Sequence, residues 1–187
     1  MTTVAAPPAD MREPEETMWE GRFIAARRRG RWEYVGRARG IRAAVILAID
    51  AEDHVILVEQ FRVPLGRSCI ELPAGLIGDD DGAADEDPMA AAARELEEET
   101  GYRAARMEVL GEFYSSPGMV SESFTLLKAH GIARVGPGGG TDGEEIIVHR
   151  VPLQDIAGAV SGWRAQGHAI DVKMLTLLGA GFASSSA

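Results

Sequence analysis

The chain has 187 residues, 45% of them hydrophobic and 26% charged, with a formal net charge of −10. That is the composition of an ordinary globular protein, long enough for one domain with a substantial core. The acidic balance argues against a general nucleic-acid binder, because neutralising phosphates requires a basic surface.

Residues 1–17, "MTTVAAPPADMREPEET", carry no sustained apolar run of the kind a signal peptide needs. Their prolines and acids predict a flexible tail. Next, "MWEGRFIAARRRGRWEYVGRAR" places two strand-like runs around a polar turn, which predicts a β-hairpin within 18–40. "RAAVILAID" and "HVILVEQF" are apolar, β-branched runs joined by "AED", and predict a second hairpin. "CIEL" reads as a short strand stopped by "PAG", followed by a Gly- and Asp-rich loop, "LIGDDDGAADED". The single cysteine, Cys69, excludes an intrachain disulfide and reads as a small buried hydrophobe in a reducing compartment.

A helix is expected after this loop. Asp87 suits its cap, Pro88 its first position, and Gly101 the left-handed residue that ends it. "MEVLGEFY" and "SFTLLKAHGI" read as strands on either side of the turn "SSPGMVSE". A glycine-rich loop, "VGPGGGTDGEE", leads into the strand "EIIVHRVP", and "LQDIAGAVSGW" and "IDVKMLTLLGAGF" close the chain as helical segments. The last apolar stretch, "MLTLLGAGFA", is far shorter than the roughly 20 residues of a membrane span, so a soluble, cytoplasmic protein is expected. The fold class expected is mixed α/β (α+β), with mostly antiparallel strands and about three helices.

The charges are segregated along this sequence. Acids crowd residues 79–99, with Arg94 as the lone base, and arginines crowd residues 22–42. Within "ARELEEETGY" glutamates stand three and four apart, a spacing that costs roughly 0.2–0.5 kcal/mol per pair on a helix. On a helical wheel Met89, Ala92, Ala93, Leu96 and Thr100 form the core stripe. Glu95, Glu98 and Glu99 share one flank of it, while Glu97 faces the other way and Arg94 lies beside Glu98. Such a flank is either a solvated acidic face or a set of oxygen ligands for a hard divalent cation.

The surrounding segment, "ELPAGLIGDDDGAADEDPMAAAARELEEETGY", resembles the Nudix box. Arg94, Glu95, Leu96, Glu98, Glu99 and Gly101 match it position by position, and Glu86 stands where the pattern asks for a glutamate. Tyr102 departs from the usual aliphatic residue, and Gly75 serves as the opening glycine if the loop at 78–86 carries an insertion. "WEYVGR", "VEQFR", "ELPAG", "SSPGMVSE" and "EEIIVHRVPL" are similar to the ADP-ribose pyrophosphatase branch of that family. The resemblance implies a mixed β-sheet sandwiched between helices over 41–187, with the N-terminal hairpin as a dimerisation element. It also implies Mg²⁺-dependent hydrolysis, with Mn²⁺ as a substitute, of ADP-ribose or a related nucleoside diphosphate sugar by a homodimer. ADP-ribose would yield AMP and ribose 5-phosphate. GDP-mannose or another nucleotide sugar as substrate, and a non-catalytic nucleotide sensor, are the alternatives.

The resemblance assigns roles as well. Glu95, Glu98, Glu99 and the Ala74 carbonyl would hold the metal, and Arg94 would orient Glu98. Trp32 would stack on the base, often across the dimer, and Arg37 and Arg62 would contact phosphates or the terminal ribose. Packing of the hairpin is the plainer reading of Trp32, and a surface ion pair that of Arg62. The base is expected on the glycine loop, which is read as flexible enough to swing a carboxylate over the substrate. Glu144 is favoured over Glu145 and Asp142, with Glu122 as the runner-up. Trp163 and His168 read as structural.

Overall fold

The computed structural model describes residues 6–38, 42–77, 87–141 and 143–178. A 3-10 turn at Ala9–Arg12 precedes β1 (Glu15–Glu20), β2 (Ile24–Arg29) and β3 (Trp32–Arg37). β4 (Arg42–Ala48), β5 (His54–Arg62), β6 (Arg67–Glu71) and β7 (Ala74–Ile77) lead to helix α1 (Pro88–Thr100). β8 (Tyr102–Arg103), β9 (Arg106–Tyr114), β10 (Ser123–His130), β11 (Ala133–Arg134) and β12 (Ile147–Pro152) follow. Helix α2 (Ile156–Ala165), β13 (Ala169–Ile170) and α3 (Leu175–Leu178) complete the described chain.

β4 is the spine. Its run of apolar residues is buried on both faces, as a central strand with a layer on each side must be. Ala44, Ile46 and Ala48 pack with Ala92 and Leu96 of α1, whereas Val45 and Leu47 pack with Ile156 and Val160 of α2 and Leu177 of α3. The expected sandwich of a mixed sheet between helices is therefore what forms. The sheet order is β7-β4-β10-β9, with β4 and β10 parallel and the other pairs antiparallel. A second sheet runs β12-β5-β6-β13.

Three local expectations differ from the structure. β4 and β5 are consecutive, but apart from the Ile49–Val55 bridge they pair in different sheets. Both runs are apolar on both faces, so each gains more burial among long-range neighbours than in a local hairpin. β6 ends at Glu71, before "PAG", as expected, but no loop follows directly: Ala74 opens β7, which pairs antiparallel with β4. The N-terminal hairpin is a three-stranded sheet, and its β1 begins at Glu15, inside the stretch expected as tail. There Glu15 pairs with Arg27 and Glu16 with Arg28 across the strands, and the Tyr34 hydroxyl donates to Glu15. Composition marks those acids as solvating, because their arginine partners lie well downstream.

Helix α1 begins and ends as its sequence requires. The Asp87 carboxylate accepts from the Met89 N–H at 3.2 Å, and Gly101, at φ 73°, closes the last turn. Met89, placed on the core stripe, is exposed instead, and Ala91 is buried. The glycine loop then docks on the end of the helix. The N–H groups of Gly136, Gly139 and Gly140 donate to the carbonyls of Gly101, Glu99 and Glu98 at 3.1, 2.8 and 3.0 Å, satisfying acceptors that a helix terminus otherwise leaves open. Gly138 has φ 69°, and a Cβ there would stand 2.7 Å from the Thr100 carbonyl oxygen. Gly138→Ala should therefore destabilise the protein by about 2–4 kcal/mol, combining left-handed strain with overpacking. Urea unfolding of this variant beside Gly143→Ala, where a Cβ meets open space, measures the docking term. Equal losses in the two variants would mean that the loop does not bear on the helix.

Candidate active site

The β7 strand and α1 cross with little room between them. A Cβ on Gly75 would collide with the carboxylate carbon of Glu95 and lie 2.7 Å from its Oε1, so the glycine lets the helix lay its acidic flank over the strand. One turn on, the Glu99 carboxylate accepts from the Ala74 N–H at 3.0 Å and is only 7% exposed. The wheel's flank beside the core stripe is thus a cleft wall.

The cleft has a volume of about 390 Å³. Ala74, Gly75, Glu95 and Glu99 line it, and the docked glycine loop adds Glu144. Arg37 from the end of β3 and Arg62 from the end of β5 contribute positive charge, with Glu122 and Lys173 beside them. Segments as far apart in sequence as β3 and the loop before β12 therefore meet at one cavity.

Burial pushes the Glu99 carboxyl up to about 8. The Ala74 N–H opposes that rise, and the charges of Glu95 and Glu144 reinforce it. Glu95 is likewise raised, first by burial; the Arg94 guanidinium draws it down, while Glu98 and Glu144 push it up. Desolvated carboxylates that repel one another are stabilised by a shared cation, and an all-oxygen donor set suits a hard divalent ion. Among the described residues, no three acidic, histidine or cysteine side chains converge closely enough to form a complete ligand set. Glu95 and Glu99 fit the mode in which a few carboxylates share the ion with water and substrate phosphates.

The remaining residues singled out in the sequence fall in three groups. Glu98 and Arg94 are not on the cleft lining: the Arg94 guanidinium donates to Glu95 at 3.0 Å and to Glu98 at 3.3 Å, bridging the two. Glu122 grips Arg37 at 2.6 Å. Arg62 lines the cleft and is also paired: its own side chain is half-exposed, but the partner is not. It donates to Glu71 at 2.6 and 2.9 Å, and Glu71 is buried. Glu71 and Lys173 are cleft components that the reading of the sequence missed. An acid inside the apolar run "CIEL" was the available signal, since a buried charge needs a partner.

Glu144 does not ride on a freely swinging loop. Its carboxylate accepts from the Thr141 N–H at 3.0 Å and from the Thr141 hydroxyl at 3.3 Å, and the preceding glycines are hydrogen-bonded to α1. Positive φ at Gly138, Gly139 and Gly140 and close approach at Gly138 account for the glycine run. Glu145 lies in the adjoining cavity bounded by Phe61 and Ile147 and precedes the strand, which begins at Ile147. Asp142 and Glu86 lie outside the described residues.

Trp32 stands apart from the cleft. With Tyr34, Met11 and Pro117 it lines a separate, mostly apolar cavity of about 370 Å³. Strand alternation sends residues 32 and 34 to one face of β3 and residue 37 to the other. Trp163 and His168 are also remote: His149 meets the Trp163 ring at 5.2 Å, and Glu59 bonds both His149 and His168.

The chain is 40% identical over 105 residues to the methanol dehydrogenase activator of Bacillus methanolicus, covering 56% of this chain and 54% of that protein. It is 37% identical over 114 residues to the ADP-ribose pyrophosphatase of Bacillus subtilis (strain 168), covering 60% and 59%. The matched region thus spans little more than half of either relative. Its fold is that of a protein described as ADP compounds hydrolase, with a TM-score of 0.66, 22% identity, and coverage of 88% and 89% of the two chains. The NUDIX domain family matches residues 39–176, which takes in β4 through the start of α3 and every acidic residue of the cleft, so the chain belongs to the NUDIX family.

Proposed function

We propose that this protein hydrolyses the diphosphate bond of ADP-ribose or a related nucleoside diphosphate sugar, releasing AMP and ribose 5-phosphate when ADP-ribose is the substrate. The observation that carries this reading is the cleft, where Glu95, Glu99 and Glu144 share a cavity with Arg37 and Arg62. The name of the Bacillus subtilis relative supports the substrate class. Retention of Glu95, Glu98 and Glu99 favours a hydrolase over a nucleotide sensor.

Glu95, Glu99 and the Ala74 carbonyl would hold Mg²⁺, or Mn²⁺ in its place. A divalent ion supplies charge against the phosphoryl oxygens and acidifies water. Arg94 holds Glu98 and Glu95 in register, and so ties the second box glutamate to the first. Arg37 and Arg62 retain guanidinium donors beyond those used by Glu122 and Glu71, and these orient the diphosphate. Glu144, steadied by Thr141, accepts the proton of the attacking water as its oxygen bonds to phosphorus and the bridging P–O bond breaks.

The working form is a homodimer in the cytoplasm. Met18, Trp19, Phe23 and Ile24 leave the N-terminal sheet with exposed apolar surface, of the kind that a protein partner covers. Because Trp32 and Arg37 lie on opposite faces of β3, Trp32 serves the cleft of a second copy better than its own. Among the described residues no helix is long and apolar enough to cross a membrane.

Three outcomes test the reading. Glu99→Gln should nearly abolish Mg²⁺-dependent turnover of ADP-ribose, while Glu144→Gln should lower kcat by about 10²–10⁴ and leave Mg²⁺ affinity unchanged; a Glu144→Gln enzyme within a few-fold of wild type would remove Glu144 as the base. Trp32→Ala should raise KM for ADP-ribose far more than it lowers kcat, since base stacking is binding remote from the reacting phosphate. A fully active monomer in sedimentation would refute the shared pocket.

The third outcome concerns pH. In cation-free protein Glu99 holds a proton up to about pH 8, whereas its ordinary value is 4.5. Between those values the folded chain binds a proton that the unfolded chain has released, so stability falls as pH rises through that window. Mg²⁺ should therefore raise Tm more at about pH 8 than at about pH 5, and Glu99→Gln should flatten both trends. A wild-type profile that rises across the window would contradict the assignment.

A further inference from the structure

Lys173 lies in the 3-10 turn Val172–Met174 between β13 and α3, and its side chain lines the cleft. Lysine rarely lies so far out of water, with only 16% of its side chain exposed. One carboxylate holds it at both ends. Asp171 accepts from the Lys173 backbone N–H at 2.7 Å through one oxygen and from the ammonium at 2.6 Å through the other. The ammonium sits 5.7 Å from the centroid of Phe124, another cleft residue, whose ring stacks on Phe113. Electrostatic attraction to the ring face and the Asp171 clasp together leave the head group one position. An ammonium carries three donors. Among the described residues Asp171 is its only hydrogen-bond acceptor, so donors remain for a ligand in the cleft.

We propose that Lys173 reads the group joined to the nucleoside diphosphate, donating to hydroxyl oxygens of its sugar ring, and so helps to set which nucleotide sugar is accepted. This rests on the hydrolase reading above and adds the determinant of specificity. The diphosphate already has Arg37, Arg62 and the carboxylate wall with its cation. Asp171 beside the ammonium cancels much of its charge and repels a phosphate, but it tolerates a hydroxyl, which is neutral and can both accept and donate. A site built to hydrogen-bond a substrate hydroxyl discriminates strongly against ligands that lack it.

Lys173→Met keeps the stem and removes the donors. It should lower kcat/KM for ADP-ribose about tenfold or more, the loss expected for a charged hydrogen bond. The inhibition constant of ADP, which has the diphosphate but no second sugar, should move less than about twofold in the same assay. Unchanged ADP inhibition also shows that the cleft is still folded. Lys173→Arg, retaining donors, should recover part of the loss and alter the ranking of ADP-ribose, ADP-glucose and GDP-mannose. If Lys173→Met weakens ADP and ADP-ribose equally, the ammonium serves the diphosphate and the inference is wrong; it is equally wrong if neither changes. Wild-type protein that turns over no member of this panel would instead defeat the hydrolase reading itself.

Discussion

A carboxylate held almost wholly out of water, Glu99, is the constraint to which the other parts of the cleft respond. An ionised carboxylate in that position is unfavourable without a partner. Among the described residues its one donor is the Ala74 N–H, which does not offset the burial, and its acidic neighbours aggravate it. The surrounding structure must therefore hold α1 against β7 at a fixed separation. Three features do so. Gly75 removes the atom that would wedge helix and strand apart, Leu96 and Ala92 anchor the helix in the core on its other side, and the glycine loop closes its C-terminus.

That loop couples two requirements that are separate in the sequence. A helix end needs donors for its last carbonyls, and the reaction proposed above needs a proton acceptor opposite the box glutamates. Backbone N–H groups from Gly136 to Gly140 meet the first need and, by doing so, deliver Glu144 to the second. The same contacts explain why the loop is rich in glycine. A side chain at Gly138 would collide with the helix backbone, and Gly138, Gly139 and Gly140 all adopt left-handed conformations. The positive side of the cleft follows a similar economy, in that each cation has its own carboxylate: Arg37 with Glu122, Arg62 with Glu71 and Lys173 with Asp171. Such pairing keeps long side chains in single rotamers, which is the order that a binding surface requires.

The N-terminal sheet stands in contrast to this cleft. Antiparallel ladders form it, and the cross-strand ion pairs on it contribute only about 0–1 kcal/mol each when exposed. Its large apolar residues face outward. It is therefore a sheet whose own contacts leave apolar surface uncovered, which is the observation behind the proposed homodimer.

Much was legible in the sequence alone. The limits of α1 follow from Asp87, Pro88 and Gly101, because capping is local chemistry. The pairing of Glu95 and Glu99 on one flank follows from helical periodicity, and the strands β9, β10 and β12 from their apolar runs. The family followed from the fixed spacing of the box. Tertiary structure decided the rest, and in each case the reason is a partner distant in the chain. β4 and β5 separate into two sheets because long-range burial outweighs a short connection. Glu15 and Glu16 become a strand because arginines of β2 stand across from them. Arg62 is held by Glu71, an acid that its apolar run marks as needing a partner but whose partner no local pattern names. Glu144 is fixed beside the box glutamates because glycines that read as flexible hydrogen-bond to the end of α1. Periodicity and capping act within a few residues and can be read along the chain, whereas burial, charge pairing and the closing of a cleft depend on which segments the fold brings together.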